Sequence, residues 1–341
     1  MEFELKKNNT LKNDVIFIDG LWGSGKSLVA PIVCAMKGVE KQKFEYIYEY
    51  LCVLRHLNKI DNDAAETLLK IYADLSQYNN LIGREVNLRW GDISGPANNL
   101  NSLRYIRRMF GREGDIVLKE INDQNLALNI LSHIIMPVSK PLMQAYGSRL
   151  KIIEIVRHPV YMVQHWITYL SRFDSEREFT ICFEHNGQKV PWFAQTWQDK
   201  FIDMSVIDRS LSSIIFLYDL LFKSINNLSN KSNNIMVISF ESLVMNTEKE
   251  LKRLQHFLDR SHSSKIKKIL KQQKIPRNIL SQGKAQFGYG WKKSTSVSEK
   301  QEYDNQFQYI RENASKNVLL EFNELIMKYN KNWPSILSNY Q

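Results

Sequence analysis

Apolar residues along this chain gather into two kinds of segment: short β-branched runs and longer stretches with helical spacing. The short runs are 15–19, 115–119, 150–156 and 235–240, and polar residues follow each of them. They read as buried parallel strands, which need no polar alternation because helices cover both faces. Segments 28–36, 44–57, 64–75 and 160–172 read as helices. The most apolar long stretch, 205–225, holds Asp208, Arg209, Asp219 and Lys223, so it predicts a buried or amphipathic helix and not a membrane span. The alternation predicts an α/β fold, a doubly wound parallel sheet flanked by helices. Residues 1–341 are expected to form a single domain, with 40–110 a mostly helical insertion after the first βα unit and 296–341 a C-terminal helical extension. Ligands of such sheets bind at the carboxyl ends of strands. That draws attention to 20–27, 120–123, 157–165 and 241–242.

The first of these places carries a complete motif. Gly20-Leu21-Trp22-Gly23-Ser24-Gly25-Lys26-Ser27 matches G-x-x-x-x-G-K-[ST], the Walker A phosphate loop, and Leu28 continues it into a helical stretch. A strand, a glycine turn and a helix in that order aim backbone N–H groups and the positive helix end at one point. Lys26 adds a charge, and the Ser27 hydroxyl can meet a phosphate oxygen or a metal. The motif makes the sheet P-loop NTPase-like and the ligand a phosphorylated nucleotide.

Composition narrows the partner only a little. The 341 residues are 43% hydrophobic and 24% charged, ordinary for a globular chain, with a net charge of +10 that suits an anionic partner. Lysines and arginines are spread along the chain. The densest run, 265–271, alternates with apolar residues as a solvated helix face does, so no specific nucleic acid is expected. Cys34, Cys52 and Cys182 form no C-x-x-C pair, which fits a reducing compartment. With no signal-like N-terminus and no apolar span, a cytoplasmic location is expected.

Two further segments suit a nucleotide. Arg157-His158-Pro159 follows the run 150–156, where a guanidinium would face the same rim as the loop and could hold a phosphate bidentately. Downstream, Gln282-Gly283-Lys284-Ala285-Gln286-Phe287-Gly288-Tyr289-Gly290-Trp291-Lys292-Lys293 mixes glycines, aromatics and lysines, as a closing loop would. Trp90 in the insertion, with Trp192 and Trp197, could wall an acceptor or fill a core.

In this order the motifs resemble the P-loop sulfotransferase family, over residues 14–35 and 113–295. Members move a sulfuryl group from 3′-phosphoadenosine 5′-phosphosulfate (PAPS) to a hydroxyl or amine. The resemblance implies that the loop, including Trp22 and Leu28, holds the 5′-phosphosulfate. It assigns the 3′-phosphate to Arg157 and, eight residues on, to His165, where the family has serine. Phe240-Glu241-Ser242-Leu243 leading to Phe257-Leu258 matches a further family segment. Lys284, Gly290, Trp291 and Lys292 match the closing G-x-W-K loop. Gly23 stands where the family has a basic residue, and Lys26 where it has the first of two hydroxyls.

Sulfuryl transfer needs a base for the acceptor and positive charge on the sulfonate. In the family the base, a histidine or glutamate, often follows the second of these strands. Glu120 stands at that place after 115–119 and is expected as base, with Asp123 second and Lys119 as a stabilising charge. No metal is expected with PAPS. The acceptor would be a hydroxyl or amine, a glycan, a lipid-linked glycan or a small molecule. Two alternatives stay open: an ATP- and magnesium-dependent small-molecule kinase, which the Gly-Lys-Ser sequence favours, and a nucleotide-binding regulatory protein without transfer chemistry. The sequence leaves oligomeric state open.

Overall fold

The computed structural model describes residues 3–89, 92, 94–95, 102–173, 179–228, 233–280 and 298–340. A five-stranded parallel sheet forms its centre. In chain order the strands are β1 (Val15–Asp19), β2 (Lys43–Phe44), β3 (Leu128–Leu131) and β4 (Leu150–Val156); β5 (Cys182–His185) and β6 (Gln188–Pro191) form a separate antiparallel hairpin; β7 (Ile235–Ser239) completes the sheet. The sheet order is β2-β3-β1-β4-β7. β1 therefore lies in the middle, paired in parallel with β3 on one side and β4 on the other. All five of its residues are buried, the four apolar ones as a central strand covered on both faces requires and Asp19 at its carboxyl end.

Helices cover both faces. They are α1 (Lys26–Cys34), α2 (Ile47–His56), α3 (Asn62–Leu81), α4 (Ser102–Arg108), α5 (Asp115–Asp123), α6 (Lys140–Tyr146), α7 (Val163–Leu170), α8 (Gln198–Asp203), α9 (Val206–Leu228), α10 (Phe240–Met245), α11 (Thr247–Leu258), α12 (Ile266–Gln273), α13 (Glu299–Asn313) and α14 (Lys316–Asn332). One hydrophobic cluster runs from Val15 to Leu337 and takes in residues of α2, α3, α13 and α14. The last two helices also back the carboxyl rim of the sheet. Glu299 accepts hydrogen bonds from the Tyr161 hydroxyl and from the Leu280 N–H, and the Tyr329 hydroxyl donates to Glu241 at 2.7 Å.

One strand was expected in the wrong place. Residues 115–119 belong to α5, not to the sheet. Val117 and Ile121, one helical turn apart, are the residues that α5 buries, in a small cluster with Leu11, Leu81 and Leu126. That spacing outweighs the β-branched composition of the run. The second central strand is β3, 128–131, whose Asn129 interrupts the apolar signal. Asn129 is fully buried, and its amide donates to Cys34 Sγ at 3.2 Å and to the Glu40 carbonyl at 3.3 Å. The helices expected at 28–36, 44–57, 64–75, 160–172 and 205–225 are present with shifted ends. Lys267, Lys268 and Lys271 are exposed on α12, which buries Ile266 and Ile269. The three cysteines are free, and among the described residues no helix is long and apolar enough to cross a membrane.

Candidate functional site

The carboxyl end of β1 turns at once into a loop that only glycine can follow. Gly20, Gly23 and Gly25 all have positive φ. A Cβ on Gly25, at φ +100°, would lie 2.4 Å from the Phe240 ring, so this residue both turns the chain and lets α10 approach. Gly25→Ala is expected to cost about 2 kcal/mol or more, from backbone strain plus overpacking. Gly147→Ala, where no atom stands within 4 Å of the added Cβ, should cost clearly less in the same urea titration. Equal losses would mean that the Phe240 contact does not shape the loop.

Gly25 caps α1, whose first turn carries Lys26, the half-buried Ser27 and Leu28. The Leu28 N–H donates to the Gly25 carbonyl at 2.9 Å, and the positive end of the helix dipole faces the loop. Leu28 and Trp22 differ from expectation. The Leu28 side chain is buried in the core. The Trp22 ring packs on Tyr169 and Trp166, with centroids 4.0 and 4.7 Å away, and ties the loop to α7.

Lys26 also differs. Its ammonium donates to the carbonyls of Gly20, at 2.5 Å, and Leu21, at 2.9 Å. Asp19, Glu154 and Glu49 surround it electrostatically, and burial lowers its pKa to about 8 against their pull. It thus closes the loop from beneath over an acidic cluster. Asp19 and Glu154 are neighbours in the sheet register, and burial raises the pKa of both. Asp19 has a second task. It accepts from the Ser132 hydroxyl at 2.9 Å and from the N–H groups of Ile135 and Met136 at 2.8 and 2.6 Å. Asp19 therefore anchors the turn that leaves β3.

That turn carries His133, which the sequence reading passed over. The histidine lies within the electrostatic reach of Lys26 and His165, and its side chain retains 19% exposure. Tyr46 is stacked on it, centroids 5.9 Å apart and planes 8° from parallel. Glu49 accepts from the His133 backbone N–H, and its Oε2 is 3.8 Å from Nδ1. Burial, then Lys26, then His165 push the imidazole well below its usual pKa, so it is neutral at neutral pH. Burial, aided by Asp19, raises Glu49 to about 8.

On the other side of the loop, Arg157 leaves the end of β4. Its Nη1 donates to the Gly23 carbonyl at 2.9 Å, while its guanidinium packs on Phe240 at 4.3 Å and Tyr161 at 5.6 Å from the ring centroids. Among the described residues no carboxylate forms an ion pair with it, and its buried Nε has no hydrogen-bond partner. Arg277 joins it, 5.6 Å from the Phe240 centroid, and this residue too escaped the sequence reading. The Arg277 guanidinium donates to the carbonyls of Gln273, Lys274 and Leu280, so it supplies field more than free donors. Burial and the charge of Arg157 lower its pKa to about 10. His165 sits on α7 with its Cβ against Gly23, and burial, Lys26 and Arg157 lower its pKa to about 4.

The structure therefore brings the loop, Arg157, His165 and His133 to one rim. The residues present fit a group with two phosphate-type ends: Ser24 Oγ in the loop and Arg157 Nε beside it are buried polar atoms without hydrogen-bond partners among the described residues. Glu120, Asp123 and Lys119 are not at this rim. They are exposed on α5. The end of that helix sits beside residues 12 and 13, before β1, where Asn13 Nδ2 donates to the Ile121 carbonyl at 3.0 Å and the Lys12 N–H to Asn122 at 3.4 Å. That is the amino end of the sheet, so the strand-end argument for Glu120, Asp123 and Lys119 falls with the strand. Trp192 is buried in the core and Trp197 half-buried against Phe201 and Phe216. Lys284, Gly290, Trp291, Lys292 and Trp90 lie outside the described residues. No group of three or more metal-ligating side chains occurs among those described.

A model of the sulfotransferase domain family matches residues 14–278. The sulfotransferase domain of the Synechococcus PCC 7002 olefin synthase is similar at 14% identity, covering 96% of this chain and 98% of that one, with a TM-score of 0.42. The sulfotransferase domain of the curacin biosynthetic pathway is 11% identical over 92% of this chain and 98% of that one, with a TM-score of 0.44. Mouse sulfotransferase SULT7A1, complexed with PAP, is 13% identical over 97% and 90%, with a TM-score of 0.38. No curated protein matches the chain.

Proposed function

We propose that this chain, which belongs to the P-loop sulfotransferase family and is a transferase, takes its sulfuryl group from PAPS at the β1 loop and passes it to an acceptor hydroxyl or amine beside His133. The observation that carries the reading is the pairing of the glycine loop with an arginine, on the neighbouring strand end, that forms no ion pair among the described residues and keeps a buried Nε unbonded. The N–H groups of the first turn of α1, with Ser24 and Ser27, would hold the 5′-phosphosulfate. Arg157 would take the 3′-phosphate through its free donors, with Arg277 adding field and His165 a neutral ring donor. Lys284, Gly290, Trp291 and Lys292 are proposed to complete the nucleotide site. The whole chain would act as one domain, its insertion contributing Tyr46 and Glu49 to the acceptor side.

PAPS supplies an activated sulfuryl group with a good leaving group, so the protein need only position, deprotonate and neutralise. His133 is proposed as base in place of Glu120. Its depressed pKa leaves the ring free to take the acceptor proton, and Glu49 holds the turn through the His133 backbone N–H, with Oε2 3.8 Å from Nδ1. Tyr46 beside it offers a ring face to an acceptor, for which a sugar hydroxyl is one fit. The kinase reading is an outcome of the same test. The protein is given radiolabelled PAPS or γ-labelled ATP, with a panel of glycans and phenols and with magnesium or a chelator. Label from PAPS should reach an acceptor in the presence of chelator. Transfer from ATP alone would overturn the proposal.

A further inference from the structure

Away from the nucleotide rim, the surface around α4 inverts the usual order of a soluble helix. Its inward face is polar and aromatic. Glu40, buried, accepts from Arg108 Nη1 at 2.7 Å and Nη2 at 2.8 Å, lies 3.3 Å from Arg104, and accepts from the Tyr105 hydroxyl at 3.2 Å. With Tyr105 and Arg108 turned in, the opposite stripe must face water. That stripe is apolar: Leu103 is 66% exposed, Ile106 43%, Met109 46% and Phe110 85%. Leu103 and Ile106 lie one turn apart on α4, and Met109 and Phe110 follow directly after its end at Arg108, so the exposed apolar residues are close neighbours along the chain. Isolated exposed apolar residues need no explanation, but a contiguous row ending in a bare phenylalanine marks a contact surface.

The charge around the patch says what it contacts. From residue 102 to 112 the chain carries Arg104, Arg107, Arg108 and Arg112 and no acid. Beneath α4 lies a cavity of about 710 Å³, rimmed by these four arginines and floored by Leu81, Val117 and Leu126. Glu40 forms ion pairs with both Arg104 and Arg108, and its single negative charge leaves one of their two positive charges unbalanced. Arg107 and Arg112 line the same cavity and belong to no ion pair among the described residues. The carboxylate among the lining residues, Glu120, is exposed on α5.

We infer that this surface docks on an anionic lipid bilayer: Phe110, Met109, Leu103 and Ile106 enter the interface while Arg107 and Arg112 hold lipid phosphates at the cavity mouth. Apolar side chains interleaved with arginine, on a face otherwise open to water, suit the boundary between headgroups and acyl chains. A soluble polyanion would use the arginines but leave the apolar row in water. A protein partner with an apolar face would cover the row but leave two unpaired guanidinium groups. The docking surface adjoins the amino end of the sheet, so the nucleotide rim stays open and the inference stands independently of the donor.

The test is flotation of the full chain with vesicles of phosphatidylcholine alone or doped with phosphatidylserine. Binding is expected to the doped vesicles, to fall with added salt, and to weaken by about tenfold or more in Arg107→Gln/Arg112→Gln. Met109→Ser/Phe110→Ser should weaken it by a similar factor, with PAPS-dependent activity unchanged. These residues are exposed, and equal melting temperatures for parent and variants establish that the fold is kept. No preference for phosphatidylserine, or variants that float like the parent, would overturn the inference. So would capture on a heparin column or an RNA without vesicle binding.

Discussion

His133→Ala is expected to lower kcat by about 10²- to 10⁴-fold, the range for losing a positioned proton acceptor, while binding of adenosine 3′,5′-bisphosphate changes little. His133 follows the strand next to β1. The hydrogen bonds that Asp19 accepts from Ser132, Ile135 and Met136 fix its turn at the loop's edge. Burial and the nearby Lys26 charge both disfavour the imidazolium, so the ring is already the base at neutral pH. The sign of the pH dependence follows. A base with a depressed pKa keeps its activity as pH falls through 6.5 and loses it only further toward acid. The parent should show that acid limb and the variant should lack it. A variant that retains parental kcat, or loses bisphosphate binding in step with rate, would place the base elsewhere.

Arg157→Ala should weaken adenosine 3′,5′-bisphosphate by about 100-fold and adenosine 5′-phosphate by only a few-fold. The factor comes from losing charge-assisted hydrogen bonds worth about 1.5–3 kcal/mol in a half-buried site. Arg157 is the guanidinium at the rim that holds the loop and forms no ion pair among the described residues. Arg157→Lys keeps a charge but loses the fork, so it should recover only part of the affinity. Equal losses for the two nucleotides, measured by calorimetry, would show that Arg157 does not touch the 3′-phosphate and acts only by holding Gly23.

The legible parts of this protein were those whose signal is local. The glycine loop is a turn of backbone conformations that side chains disfavour, so its residues announce it. β1, β4 and β7 are short, mostly apolar runs rich in isoleucine and valine and without helical spacing. Arg157 could be found because it directly follows such a run. The candidate base was missed through one error of element type. Residues 115–119 are richer in β-branched side chains than 128–131, but tertiary packing of Val117 and Ile121 makes the first a helix, and the buried amide contacts of Asn129 make the second a strand. Once β3 is placed, Ser132 and His133 stand where a strand-end base was sought. Lys26 shows a different limit. Its identity reads as a phosphate ligand, while its place beneath the loop depends on Asp19, Glu49 and Glu154, which arrive from three separate elements. No spacing rule joins those positions. Arg277 is similar, since only folding brings it to the Phe240 ring beside Arg157.

The most direct test of the account is calorimetry of adenosine 3′,5′-bisphosphate and of ATP, each with and without magnesium. Tight bisphosphate binding that magnesium does not alter is expected, with much weaker binding of ATP. A preference for ATP with magnesium, or no binding of either nucleotide, would contradict it.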